Sequence, residues 1–371
     1  MDILLMLVYV SLLLGLLVII HEGGHYLAAR AFGVRVTEFM VGFPGPGLSI
    51  RHGETRFGVT CVPLGGYARV CGMETGPMSP YLQMTLAAMY ARGTAEMEDI
   101  ARDCGISDDE ALKALDELVE WGCLTGPKKK DQYNTYRLVD VRPTRRQIKK
   151  AEKAGLPVPV AYEEGQPRPC EDAKSLFEHE YKQQYRSLPF WKRSVILLAG
   201  IAVNLIFAVL AFVVVYSILG FDVQNTDTGE IAHRTLNPLQ SIAVGFNYIV
   251  MVAQAILNLF NPATAAETVS QSSSIVGIAI ISKTAAEQGF ETFLLFTGMI
   301  SVSLGLMNLL PITPLDGGRF VIEIYQRITH RLASERALNV ITSLGMCFIL
   351  VLCVVMIGQD VMRIFDGFWS Q

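Results

Sequence analysis

Hydrophobic positions along the chain fall in long blocks separated by two polar stretches. Ile3 to Ile20 holds eighteen residues without a charge and runs directly into His21-Glu22-Gly23-Gly24-His25. At about 1.5 Å per residue this block is long enough to cross a bilayer core. No basic segment precedes it and no small-residue cleavage site follows it, so it reads as a retained transmembrane helix, not as a secretory signal. The helix is expected to stop at Gly33, which closes a first unit of residues 1–33. From 34 to 78 the pattern changes to short alternating, β-branched segments broken by Gly and Pro, as in strands and hairpins. This stretch is apolar for a surface sheet and is expected to be membrane-associated, with its backbone paired or covered by protein.

Residues 79–140 look soluble and compact. Helices are expected near Tyr81–Arg92, over Thr94–Asp103, and from a Ser107 cap to Trp121, where Ala111, Leu112, Leu115, Leu118 and Val119 form a stripe. Cys123-Leu124 and Tyr136–Val139 read as a strand pair. Three helices and a two-stranded wing resemble a winged helix, a small α+β insertion. Residues 141–193 hold a basic run (Arg142, Arg145, Arg146, Lys149, Lys150, Lys153), a Pro-rich linker and a polar helix. The basic run is suited to contact with anionic lipid.

Apolar runs return at 194–218, 290–318 and 337–358, separated by 219–289 and by a loop over 319–336. Leu239–Phe260 is apolar as well, but it carries Gln240, Asn247, Gln254 and Asn258 and is expected to lie at the outer interface. The fold class expected is therefore an α-helical polytopic membrane protein with four transmembrane helices, a membrane-associated β-hairpin region and the winged-helix-like insertion.

Composition agrees: 51% of the 371 residues are hydrophobic and only 18% are charged. A net charge of −4 is too small to imply a partner, but its distribution carries information. Arg30, Arg35, Lys192 and Arg193 flank the first two spans on one side, and Arg319, Arg327, Arg331 and Arg336 follow the third. The positive-inside rule puts these residues and the insertion in the cytoplasm and both termini outside. The seven cysteines include no CxxC pair, which argues against a thiolate zinc site or a disulfide framework. The third helix of the insertion carries six acids (Asp108, Asp109, Glu110, Asp116, Glu117, Glu120) against Lys113. A helix entering a DNA groove needs the opposite balance, so protein contact, homodimerisation included, is expected instead of nucleic acid.

His21-Glu22-Gly23-Gly24-His25 is the H-E-x-x-H pattern. Two imidazoles one turn apart can bind Zn²⁺, and the acid beside them can serve as general base. Ionisable residues at bilayer depth are costly and functional by default. A third zinc ligand is needed. The positions where a third histidine could follow closely hold Ala28 and Ala31, and His52, His179, His233 and His330 lack supporting context. Asp316 is the candidate, because it follows an apolar span in a Pro/Gly-broken stretch able to line a cavity.

HEGGH on the first span, Pro63–Val70 (PLGGYARV), Phe190–Asn204 (FWKRSVILLAGIAVN) and Asn308–Gly318 (NLLPITPLDGG) together resemble the site-2 protease family of intramembrane zinc metalloproteases. The likeness is closest to the bacterial branch that cleaves anti-sigma factors and signal-peptide remnants. It implies zinc on His21, His25 and Asp316, Glu22 as the base, and substrate contact by Asn308 and Asn204. It also implies a transmembrane substrate, presented as a strand added to the sheet within 34–70, and a multi-pass protein of the bacterial inner membrane. Two departures stand out. Ser217–Gln240 is too short for the PDZ domain usual in that branch, and Ile201 stands where the family has Pro. A different class of function is a membrane-anchored signalling protein that works through the winged-helix-like unit and has a vestigial metal site.

Overall fold

The computed structural model describes residues 3–366 except 43, 63–64, 74–75, 132, 144, 156, 159 and 225–230. Parts of the Gly/Pro turns and of the Pro-rich linker therefore lie outside the described residues.

Helix α1 (Ile3–Ala31) carries the uncharged run and the HEGGH motif without a break. Strands β1 (Val36–Val41), β2 (Gly47–His52), β3 (Thr55–Thr60) and β4 (Gly66–Val70) follow. They make one mixed sheet in the order β2-β3-β1-β4, with β1 and β3 parallel and the other pairs antiparallel. Tyr26 of α1 packs edge-on against Phe39 and Phe57, which sets the sheet beside the second half of the helix. Every residue of β2 is exposed, Leu48 and Ile50 among them. Apolar side chains on a free edge suit a lipid contact better than water.

The insertion comprises α2 (Leu82–Arg92), β5 (Thr94–Glu96), α3 (Met97–Cys104), α4 (Asp108–Glu120), β6 (Leu124–Thr125) and β7 (Thr135–Leu138). Its core gathers Leu86, Ile100, Leu115, Leu118, Trp121, Tyr136 and other buried residues. The expected Ser107 cap is present as a capping box with Glu110. One expectation fails: Thr94–Glu96 is not helical. Gly93, at φ 75°, ends α2 and turns the chain so that Thr94 pairs with Arg137 of β7, which makes a three-stranded sheet in the order β5-β7-β6. A strand of three residues is too short to show a period in the sequence.

Next come α5 (Arg145–Ala154), over the basic run, and α6 (Ala173–Lys182), capped by Asp172. Helix α7 (Phe190–Val213) continues through a π turn over Val214–Leu219. A hairpin of β8 (Phe221–Gln224) and β9 (Ile231–Arg234) leads to α8 (Pro238–Asn258), α9 (Ala265–Gln271), α10 (Ile275–Gln288), α11 (Phe290–Asn308), α12 (Asp316–Thr329) and α13 (Glu335–Phe365).

Five described helices are long and apolar enough to cross a membrane: α1, α7 with its π turn, α8, α11 and α13. Helix α8, expected at the interface, lies antiparallel along α7. Ser241 bonds Ser217, Gly245 faces Val209 and Phe212, and Tyr248 meets Phe212. Its four amide side chains, Gln240, Asn247, Gln254 and Asn258, are all exposed. Helix α10 was not anticipated. Asp360 of α13 caps its start, accepting from Ser274 N–H at 2.6 Å and Gly277 N–H at 3.1 Å.

Helices α1 and α7 cross at glycines. A Cβ on Gly24 would lie 2.6 Å from the Ala199 carbonyl oxygen, and one on Gly200 would lie 2.3 Å from His25 Nε2. Small residues at this crossing allow the two backbones to approach and press α7 against the histidines.

Candidate metal and proteolytic site

His21 and His25 stand one turn apart on the same face of α1, both more than nine-tenths buried. Asp316 is the first residue of α12, reached through the loop that follows α11. That loop folds tightly back on itself, since a Cβ on Gly317 would lie 2.1 Å from the Leu309 carbonyl oxygen. Only glycine fits next to Asp316, which accounts for the DGG sequence.

The three side chains converge. His21 Nε2 lies 3.0 Å from Asp316 Oδ2, His25 Nε2 lies 3.1 Å from the same oxygen, and the two Nε2 atoms are 3.3 Å apart. Tetrahedral zinc with bonds of about 2.0–2.2 Å holds its donors roughly 3.3–3.5 Å apart. The donor set and spacing therefore fit zinc, with two neutral imidazoles, one carboxylate and a fourth position left for water or substrate. Among the described residues this is the only group of three such side chains close enough to share an ion.

The opposite ring nitrogens are held from behind. His25 Nδ1 is 2.7 Å from the Ile196 carbonyl oxygen of α7, so that nitrogen carries the proton and Nε2 keeps its lone pair. His21 Nδ1 lies 3.2 Å from Asn204 Nδ2, while Asn204 Oδ1 is buried without a partner. Turning the amide over satisfies both groups: Oδ1 accepts from Nδ1–H and His21 Nε2 is freed for a metal. Asn204 is fully buried and its own carbonyl accepts from Ser301 of α11 at 2.9 Å. It was expected at the substrate, and the structure instead seats it behind His21. Asn308 donates from Nδ2 to the Leu304 carbonyl one turn back on α11.

Glu22 points to the sheet. Its Oε2 accepts a hydrogen bond of 2.8 Å from Ala68 N–H of β4. Sequence reasoning finds Glu22 but not its partner, because a backbone N–H leaves no signature in the sequence.

Two further clusters connect the site to the rest of the chain. On α12, two turns after Asp316, Glu323 accepts from Tyr185 OH at 3.2 Å and pairs with Arg193 of α7 at 3.0 Å. Beyond the end of α1, Arg35 pairs with Glu180 of α6 at 2.8 Å and donates to Gln183 and to the Trp121 carbonyl of the insertion. Burial alone would raise the Glu180 carboxyl, but hydrogen bonding by His179 and the charge of Arg35 outweigh it and pull the carboxyl down to about 2. Burial pushes the neighbouring Cys123 thiol well above its usual range, so it is a neutral donor to Glu180. Two of the acids of α4 are engaged inside the protein: Glu117 accepts from Ser79 N–H and Asp116 from Tyr136 OH.

Comparison with known proteins follows this geometry. The sequence profile of peptidase family M50 matches residues 9–352. Zinc metalloprotease RasP of Oceanobacillus iheyensis is 22% identical, with 95% of this chain and 98% of that protein covered. The regulator of sigma-W protease RasP of Bacillus subtilis is 24% identical, with 95% and 97% covered. A Rhizobium meliloti protein provisionally named a zinc metalloprotease is 28% identical, with 95% of each covered.

Proposed function

The chain belongs to peptidase family M50, the site-2 proteases, and is a zinc metalloprotease; we propose that His21, His25 and Asp316 hold its zinc and that Glu22 is its general base. The observation that carries this reading is the meeting of three donor atoms from α1 and α12, 291 and 295 residues apart in the chain, within hydrogen-bond distance of one another.

Held by His21, His25 and Asp316, zinc would supply a Lewis acid for the scissile carbonyl and would lower the pKa of a water to about 7. Glu22 accepts a proton from the attacking water on a carboxylate oxygen and passes it to the departing amine nitrogen. Ile196 and Asn204 fix the histidine rings so that both Nε2 atoms face the ion. Asn308 is the remaining candidate for substrate contact.

The substrate is a membrane protein. Anti-sigma factors and signal-peptide remnants are the classes we propose, and the Bacillus subtilis relative is named a regulator of sigma-W protease. A helix must unwind before its peptide bond can be attacked, and the free edge of β4 offers backbone partners for the extended segment. Four full crossings, α1, α7, α11 and α13, suit the inner membrane with both termini outside. Helix α8 would then descend along α7, and the stretch over α9 and α10 would return, which keeps both halves of the site at one depth. The order α2-β5-α3-α4-β6-β7 supports reading the insertion as a cytoplasmic winged helix.

The test is a comparison of membrane-protein fragments between cells that hold the active protein and cells that hold Glu22→Gln. Fragments that depend on Glu22 identify substrates, and identical fragment sets would remove the reading.

A further inference from the structure

A cleft of about 600 Å³ opens where β4 meets the insertion. One wall is β4 itself, with Ala68 and Arg69. The facing wall carries Thr313 of the loop before Asp316 and Arg319 of α12, and Glu120 at the end of α4 closes the side of the insertion. Because Ala68 holds Glu22, the cleft begins at the base and leads away from it. Its direction is fixed by β4: Gly66 abuts Val18 within the apolar run of α1, and the cleft lies at the other end, toward Val70.

The lining is charged and lopsided. Arg319 is exposed and makes no ion pair among the described residues, and Arg69 has only a long contact of 3.6 Å with Glu38. Across the cleft, Thr313 is 5% exposed and its hydroxyl has no hydrogen-bond partner among the described residues. On the outer edge of β4, Ala68 presents its N–H away from β1, and by the two-residue alternation of a strand Val70 turns the same way. An extended chain that pairs with this edge at Ala68 must continue past Arg69 and between Arg69 and Arg319.

We infer that this cleft is a specificity site for the stretch of substrate just outside its apolar segment, and that Arg69 and Arg319 select an acidic residue there. The inference rests on the protease reading above and adds a determinant to it. The insertion then forms one wall of the site through Glu120.

The test uses the full-length protein and a series of otherwise identical transmembrane peptides. Each carries Asp, Asn or Lys at one of successive positions on the side of the scissile bond that leaves the membrane toward the insertion. At one register the Asp peptide should exceed the Lys peptide roughly five- to ten-fold in kcat/KM, mainly through KM. The preference should shrink as salt is raised. Arg319→Glu should reverse the order, with a gain for the Lys peptide that a misfolded protein could not show, and Arg69→Glu should shift it the same way. Equal cleavage of Asp and Lys peptides at every register, or an unchanged order in Arg319→Glu, would overturn the inference and leave the protease reading intact. Failure of the unsubstituted protein to cleave any peptide would instead strike the protease reading itself.

Discussion

Glu22 Oε2 and Ala68 N–H are joined by a hydrogen bond of 2.8 Å, which ties the acid of the helical motif to the free edge of the sheet. The proposed base and the strand proposed to receive substrate are therefore one unit, and the N–H that holds Glu22 is also one that an added strand would use.

Ala68→Pro removes this N–H while leaving an edge position where proline is tolerated. KM should rise roughly five- to ten-fold, the scale of one lost hydrogen bond at a binding edge, with zinc content unchanged. Ala68→Gly keeps the N–H and should lose much less. Steady-state kinetics on a cleaved transmembrane peptide, paired with metal analysis, separates the two.

Asn204 touches His21 at Nδ1, behind the proposed metal position. Asn204→Leu, similar in size but without an acceptor for Nδ1–H, should weaken zinc affinity about 10–100-fold. Asn204→Asp retains an acceptor and should stay closer to the original protein. Competition with a zinc chelator measures both, and equal affinity in Asn204→Leu would show that the contact with His21 is incidental.

Asp316 supplies the only carboxylate among the three donors. Asp316→Ala should lose bound zinc at equimolar metal and lose cleavage with it. Stripping the unsubstituted protein with chelator should abolish cleavage, and added zinc should restore it. Full zinc occupancy in Asp316→Ala would direct the search to a different third ligand.

The junction between α1 and the insertion carries a pH signature. Glu180 has its carboxyl lowered from the usual 4.5 to about 2. A depressed carboxyl contributes stability that is full above the unfolded value and is lost as the pH falls toward the folded one. The difference in melting temperature between the protein and Glu180→Gln should thus hold or rise as the pH falls from neutral to about 5, where His179 gains its charge beside Glu180, and shrink below it. A difference that does not shrink below about pH 4 would contradict the pairing with Arg35.

Much of the site was legible in the sequence because the chemistry is carried by side chains with rigid spacing. His21 and His25 sit at i and i+4, and Asp316 stood out as an acid after an apolar span. The helical stripe of α4 and its capping box were equally visible. What could not be read was held by backbone groups or by distant packing. The Ala68 N–H and the Ile196 carbonyl have no residue type to mark them, and Glu323 meets Tyr185 and Arg193 only once the helices are packed. The strand β5 depends on its partner β7, so its three residues could not declare themselves.

The central claim is that Glu22 moves the proton while His21, His25 and Asp316 hold the metal. The most direct measurement is cleavage of a transmembrane reporter by purified Glu22→Gln, with zinc content determined on the same sample. Cleavage should fall by about a thousand-fold or more, the upper part of the range for a general base next to a metal, with zinc bound as before. Undiminished cleavage by the zinc-loaded variant would contradict the account.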